Sequence, residues 1–435
     1  MTLKLENSEE RLTRRTGLIL ANQFGQQLHL PGLIDEAFGR PGSNRGYTAS
    51  DYCLSLAEMM IDGATGLEDI RAFEDDQAYK EMAEVFHYPS PDAIGDWLRR
   101  HGANGGEEKL WNALTFILRQ SIPKNRNLVL DIDGTLIEAD KGDALKTYKG
   151  FRGYHPVLLG SVEFGLFVSS HFLPGSAAPQ AELAEFLQQC RTRFKDRFTA
   201  MRSDSAGYNS TFINYCYQEK IHFSITADLD PAVMTTIGEI PETAWKRGID
   251  RRGIPEDYEV AETLHTMNDV AQAFRLVVKR TPKPDQQRDM FGVHHQYTYW
   301  IIATNLPINS YAAQAVIHFH EGRGAFEKMI GELKHYYGLR HLPCGQLEAN
   351  SLYFTIGILA FTIIQLLKHH HFGAQWKNRS VVTLRYKWLH IPSRLITHAR
   401  YTIIRLAMAP ARFTEFSQVF LATLLAPPPA LDDST

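Results

Sequence analysis

The sequence predicts a mixed α/β chain whose helical ends enclose a strand-rich middle. Three observations carry that reading. Apolar residues recur at three- and four-residue steps up to residue 120, switch to short β-like runs, and return to helical spacing after residue 308. The middle runs follow the order strand, strand, strand, helix, strand, helix, strand, which builds a sheet with mixed connections. With 435 residues, 44% of them apolar and 22% charged, the chain has the composition of a soluble globular protein of two or three domains.

Residues 1–120 form the first unit, a helical block of a size suited to DNA binding or dimerisation. From Ser50, Tyr52, Cys53, Leu56, Met59 and Met60 recur on one helical face, with Ser50 or Asp51 as cap. Ser90-Pro91-Asp92 is a second helix start, a capping residue followed by proline at the first helical position. Glu107–Arg119 is a further helix.

Residues 121–226 carry the strands: Asn127–Asp133, Tyr154–Val162, Phe164–Phe172, Phe198–Asp204 and Ile221–Thr226, with helices over Gln180–Phe194 and Asn209–Glu219. Residues 227–308 read as a β-rich insertion, with strands at Tyr258–Met267, Phe274–Lys279 and Tyr297–Thr304. Residues 309–372 return to helix, beginning at Asn309. Their most apolar run, Leu352–Leu367, is too short and too rich in Thr, Gly and Gln for a membrane span and reads as a buried helix.

Residues 373–435 are a basic helical region ending in the low-complexity tail APPPALDDST. The net charge of −3 hides an uneven distribution. Between Glu348 and Glu415 there is no carboxylate, while Lys368, Lys377, Arg379, Arg385, Lys387, Arg394, Arg400, Arg405 and Arg412 all lie there, a bias suited to a polyanion. Cys53, Cys190, Cys216 and Cys344 are scattered and form no CxxC pair, which argues against a zinc site or a disulfide scaffold and suits a reducing cytoplasm.

Two sets of residues carry chemistry. On a helical wheel of about 100° per residue, His320, Arg323, Glu327 and Lys334 fall within an arc of roughly 60°. One carboxylate thus shares a stripe with two fixed cations and an imidazole; a solvated ladder of charges is the plainer alternative. The second set stands at strand ends: Asp131 and Asp133 on the first strand, Asp204 on the fourth. Carboxylates there can hold Mg²⁺ through hard oxygen ligands. Two such ions about 3.5–4 Å apart clamp the attacking and leaving oxygens of a phosphoryl transfer.

At these residues the sequence resembles the DDE transposases of bacterial insertion sequences, in particular the subgroup marked by Tyr-x2-Arg-x3-Glu-x6-Lys. Arg323, Glu327 and Lys334 match that spacing, and His320 stands where the subgroup has Tyr. Asp133-Gly134-Thr135 matches the first family motif, and Asp204, followed by Ser205, Ala206 and Gly207, the second. The resemblance covers roughly residues 45–410. It implies an RNase H-like core with a β-rich insertion before the Glu helix. It further implies that Asp133, Asp204 and Glu327 bind two Mg²⁺ ions, with Mn²⁺ as substitute, and that Arg323, Lys334 and His320 contact DNA phosphates. Lys149, Arg152 and Tyr154 are candidates for the DNA path; Trp300 is either a base-stacking or a core residue. The partners implied are double-stranded DNA, as terminal inverted repeats and target, and a second copy of the chain on that DNA, with no membrane.

Two other readings compete. Leu128–Leu136 also resembles the first motif of haloacid-dehalogenase-type phosphatases, with Asp131 as nucleophile and Asp133 as acid and base. A transposase-derived DNA-binding protein that has lost catalysis is the third.

Overall fold

The computed structural model describes residues 3–7, 9–41, 46–178, 180, 182–194, 197–283, 297–399 and 401–425. The tail APPPALDDST and Arg400 lie outside them. Five strands build the central sheet: β1 (Leu128–Gly134), β2 (Arg152–Ser161), β3 (Leu166–Pro174), β4 (Phe198–Ser203) and β5 (His222–Thr226). Their spatial order is β3-β2-β1-β4-β5, with β2 antiparallel to its neighbours and β1, β4 and β5 parallel. That is the arrangement of an RNase H-like sheet. β1 is buried on both faces, which its unbroken Leu-Val-Leu run anticipates.

The predicted insertion extends this sheet. Strands β6 (Lys246–Ile249), β7 (Pro255–His265), β8 (Phe274–Pro282) and β9 (Tyr297–Thr304) continue it in the order β5-β9-β8-β7-β6. β9 joins β5 through only three residue pairs, Ile302 with Thr226, Ala303 with Ile225 and Thr304 with Ser224. The added strands also cover a small apolar cluster of their own around Tyr258, Val277, Ile302 and Val316.

The helical block begins where capping chemistry allows it. The helix Ala49–Asp62 is capped by Thr48, two positions ahead of Ser50, in a reciprocal box with Asp51. Ser90 caps Pro91–Gly102 as expected. These helices and Gly106–Ser121 pack around Leu347–His371, a 25-residue helix apolar enough by length and composition to cross a membrane. Within the protein 94% of its apolar window is buried, between the helical block on one side and β3 on the other. Each fully buried Leu, Ile or Phe on it contributes roughly 1.5–3 kcal/mol, so this helix joins the two halves into one core.

The C-terminal region holds the expected helix at Pro410–Leu425, but the stretch before it needs correction. The strands β10 (Ser393–His398) and β11 (Tyr401–Leu406) pair antiparallel, and Leu12–Thr13 adds a third strand. Ser393–Leu395 and Ile403–Leu406 alternate in exposure, which is strand rather than helix patterning. Part of the basic bias is also structural. Arg385 is buried and donates to the carbonyls of Ile61, Met60 and Tyr336, and buried Lys368 donates to the Arg379 carbonyl. Those cations close helix ends and loops; they are not part of a surface for a polyanion.

Candidate active site

The parallel register of β1 and β4 sets Asp131 beside Arg202 and Ile132 beside Ser203. Asp133 and Asp204 therefore emerge next to each other at the carboxyl ends of adjacent strands. Asp204 leaves the sheet in extended backbone and caps the turn Ser205–Gly207, accepting from Ala206 N at 3.1 Å. Asp133 is mostly buried. Burial pushes its carboxyl up to about 6, Arg323 opposes that, and the charges of Asp204 and Glu327 add to it. Both other acids thus act on Asp133 across one sheet edge.

The residues from His320 to Lys334 do not form one helix. Ala313–Glu321 ends at Gly322, and Gly324–Tyr336 begins after Arg323. Only glycine fits at the break: a Cβ on residue 322 would lie 2.0 Å from Arg202 Nη1. Arg202 passes under this corner with both arms engaged. Its Nε and Nη2 donate to Asp131 at 2.8 and 2.6 Å, and its Nη1 donates to the Phe319 carbonyl at 2.9 Å.

The corner aims Arg323 across the sheet edge. Its Nη1 donates to Asp133 Oδ2 at 3.0 Å and its Nη2 to Glu327 Oε1 at 2.6 Å. One guanidinium thereby joins the strand-end acid to the helix acid, which lie 194 positions apart in the chain. Lys334, two turns further on, donates to the Leu136 carbonyl and stands 3.5 Å from Thr135 Oγ1, so it caps the loop that follows Asp133. Burial, then the like charges of Arg340 and Lys149, hold its ammonium below the ordinary lysine range.

His320 is corrected. The corner leaves it on the preceding helix, 2% exposed, with Nδ1 at 2.8 Å from Ser224 Oγ and Nε2 at 3.0 Å from Thr226 Oγ1. Trp300 packs against its ring edge-on at 5.4 Å. Both ring nitrogens are used inside the fold, and a phosphate has no approach to them. Tyr154 is fully buried beside Asn350 and lines no open DNA path, while Arg152 is exposed and donates to the carbonyls of Ala144 and Gly142. Lys149 is exposed.

The phosphatase reading also falls on geometry. It requires Asp131 as an accessible nucleophile, and that carboxylate is 0% exposed with both oxygens held by Arg202.

Among the described residues, no three His, Cys, Asp or Glu side chains stand close enough together to hold one metal ion. The donor set nevertheless suits Mg²⁺ in kind, since it offers hard carboxylate oxygens. The Arg323 guanidinium between two of the acids shows that the site already accommodates a positive charge there.

A family model described as transposase DDE domain group 1 matches residues 2–426. The chain belongs to this transposase family. No curated protein matches it. Among solved structures, this DDE transposase is similar to the cryo-EM structure of the piggyBac transposase synaptic complex with hairpin DNA, at 12% identity and a TM-score of 0.45, over 88% of this chain and 82% of that one. Sequence reasoning missed Arg202, His155 and Gly322 in the transposase site. Only Gly322 left a signal, as a glycine interrupting a helical stripe.

Proposed function

We propose that the chain is the DNA transposase of a bacterial insertion sequence, acting in the cytoplasm, and that Asp133, Asp204 and Glu327 are its catalytic acids. The observation that carries this is the Arg323 fork, which gathers Asp133 and Glu327 at the edge where Asp204 also emerges. Asp133, Asp204 and Glu327 would hold Mg²⁺, or Mn²⁺ in its place. Bound there, the metal would supply Lewis acidity to the attacking and leaving oxygens of a phosphodiester. The protein's own groups do the rest. Arg323 exchanges its carboxylate partners for a phosphate, for which a planar fork is the best-matched donor. Lys334 holds the Thr135–Leu136 loop and places a fixed charge beside the strand.

The reaction proposed is hydrolysis at the terminal inverted repeats, followed by attack of the freed 3′-hydroxyl on target DNA, by a homodimer holding two ends. In a nicking assay on inverted-repeat duplex, Asp133→Asn, Asp204→Asn and Glu327→Gln each lose Mg²⁺-dependent cutting by at least about a hundredfold, while a gel shift of the same duplex persists. Retained cutting by either the Asp133 or the Glu327 variant would refute the assignment. A wild-type protein that shifts the DNA and never nicks it is the inactive binder.

A further inference from the structure

One buried side chain links the elements that bear the three proposed catalytic acids. Arg202 stands on β4 two residues before Asp204, and its Nε and Nη2 donate to Asp131, two residues before Asp133 on β1. Side chains alternate along a strand, so Asp131 faces the same way as Asp133, one pleat behind it. The third arm of Arg202 leaves the sheet. Nη1 donates to the Phe319 carbonyl at 2.9 Å, and Cζ lies 5.2 Å from the centre of the Phe319 ring. Phe319 stands in the last turn of the helix Ala313–Glu321, where carbonyls lack an N–H four residues on. Arg323, at that spacing, gives its N–H to the His320 carbonyl instead, at 3.0 Å. A guanidinium there completes the helix end and is favoured by its dipole. It also pins the corner from which Arg323 and then Glu327 depart. His320 ties the same helix to β5, but that strand carries no acid.

Taking the transposase reading as its basis, we infer that Arg202 is a positioning residue, which touches no substrate and sets the helix bearing Glu327 against the strands bearing Asp133 and Asp204. Geometry, more than charge, is what the arginine supplies. Lysine has a single ammonium and cannot serve Asp131 and the Phe319 carbonyl through separate fixed arms. The corner is also fitted to the fork. With Nε and Nη2 held by Asp131, the guanidinium has no slack to yield to a Cβ on residue 322.

The test compares cutting of one inverted-repeat duplex by the full-length protein and its variants, with each rate divided by the folded fraction. Arg202→Lys lowers the rate at saturating DNA about a hundredfold, the scale of a misplaced catalytic group, and leaves the gel-shift midpoint where it was. Mn²⁺ titrated into the protein–DNA complex, followed by electron paramagnetic resonance, binds about tenfold more weakly, as when the support behind carboxylate ligands is lost. Asp131→Asn keeps an oxygen in reach of Nε, so it lowers stability without moving the arm, and its rate and Mn²⁺ binding stay at the wild-type level. Gly322→Ala pushes Nη1 off the Phe319 carbonyl and reproduces the Arg202→Lys defect, and it decides the question alone should the lysine variant not fold. On the Arg202→Lys background, where no Nη1 stands in the way, Gly322→Ala adds little. Wild-type rate and Mn²⁺ binding in both variants, or independent losses that multiply in the double variant, overturn the positioning role, while wild-type cutting leaves the transposase reading standing. A wild type that never cuts with Mg²⁺ takes both away.

Discussion

Asp131 and Asp133 are two residues apart on one strand and face opposite fates. Asp131 anchors Arg202 in the interior, and Asp133 reaches the open edge. Asp131→Asn would leave a buried guanidinium without its counter-charge, at a cost of about 3–5 kcal/mol. A urea titration reads that as a lower midpoint, with the DNA-cutting rate per folded molecule little changed. His320 is the second residue-scale case. Burial, with Arg323 and Arg202 nearby, lowers its imidazole from 6.5 to about 3. The folded value lies below the unfolded one, so the neutral ring contributes its full stability above about 6.5. That stability is lost as pH falls from there toward 3, by up to ~1.4 kcal/mol per pH unit. Urea midpoints measured between those limits should fall more steeply for the wild type than for His320→Gln. Parallel curves would mean the ring does not titrate in this way. The nearness of Asp133, Arg323 and Glu327 was legible in the sequence, because Arg323 and Glu327 keep their i, i+4 relation at the start of the second helix. His320 was misread because a helical wheel presumes one continuous helix, and the stretch is two, ending at Glu321 and restarting at Gly324.

At the scale of elements, the Glu327 helix is seated by a glycine on a strand. A Cβ on Gly160 of β2 would lie 2.5 Å from Phe326 Cε2, and Phe326 in turn packs on Phe167 at 5.6 Å between ring centroids. Gly160→Ala should therefore cost about 1–3 kcal/mol through overpacking and displace the helix carrying the last acid. The expected result is a fall in cutting rate larger than any fall in DNA affinity, measured side by side on one duplex. An unchanged rate would mean that Phe326 does not fix the position of Glu327. The five core strands were readable from apolar runs, and β9 fell at its expected bounds. The C-terminal hairpin was not, because the adjacent apolar pairs Leu395-Ile396 and Ile403-Ile404 blur its period of two. Nor does composition reveal that the inserted strands share a sheet with the core, since three backbone pairs make that join.

Across the whole molecule, the helical block and the catalytic sheet share one buried helix, Leu347–His371, and lack separate cores. Thermal or urea unfolding should accordingly be a single transition, by both far-ultraviolet circular dichroism and tryptophan fluorescence. Two separated transitions would mean that the halves fold independently. The chain's beginning is bound into the same unit. Leu12 pairs with Arg394 and Thr13 with Ser393, while Arg15 reaches both Asp62 and Asp76. Removing residues before Thr16 should lower the melting temperature of the whole protein, including the catalytic sheet. That pairing has a consequence during synthesis. A nascent chain on the ribosome exposes its first strand for the time it takes to translate some three hundred and eighty further residues, and only then meets its partner. Translation products that stop before Ser393 lack that partner and keep the edge open.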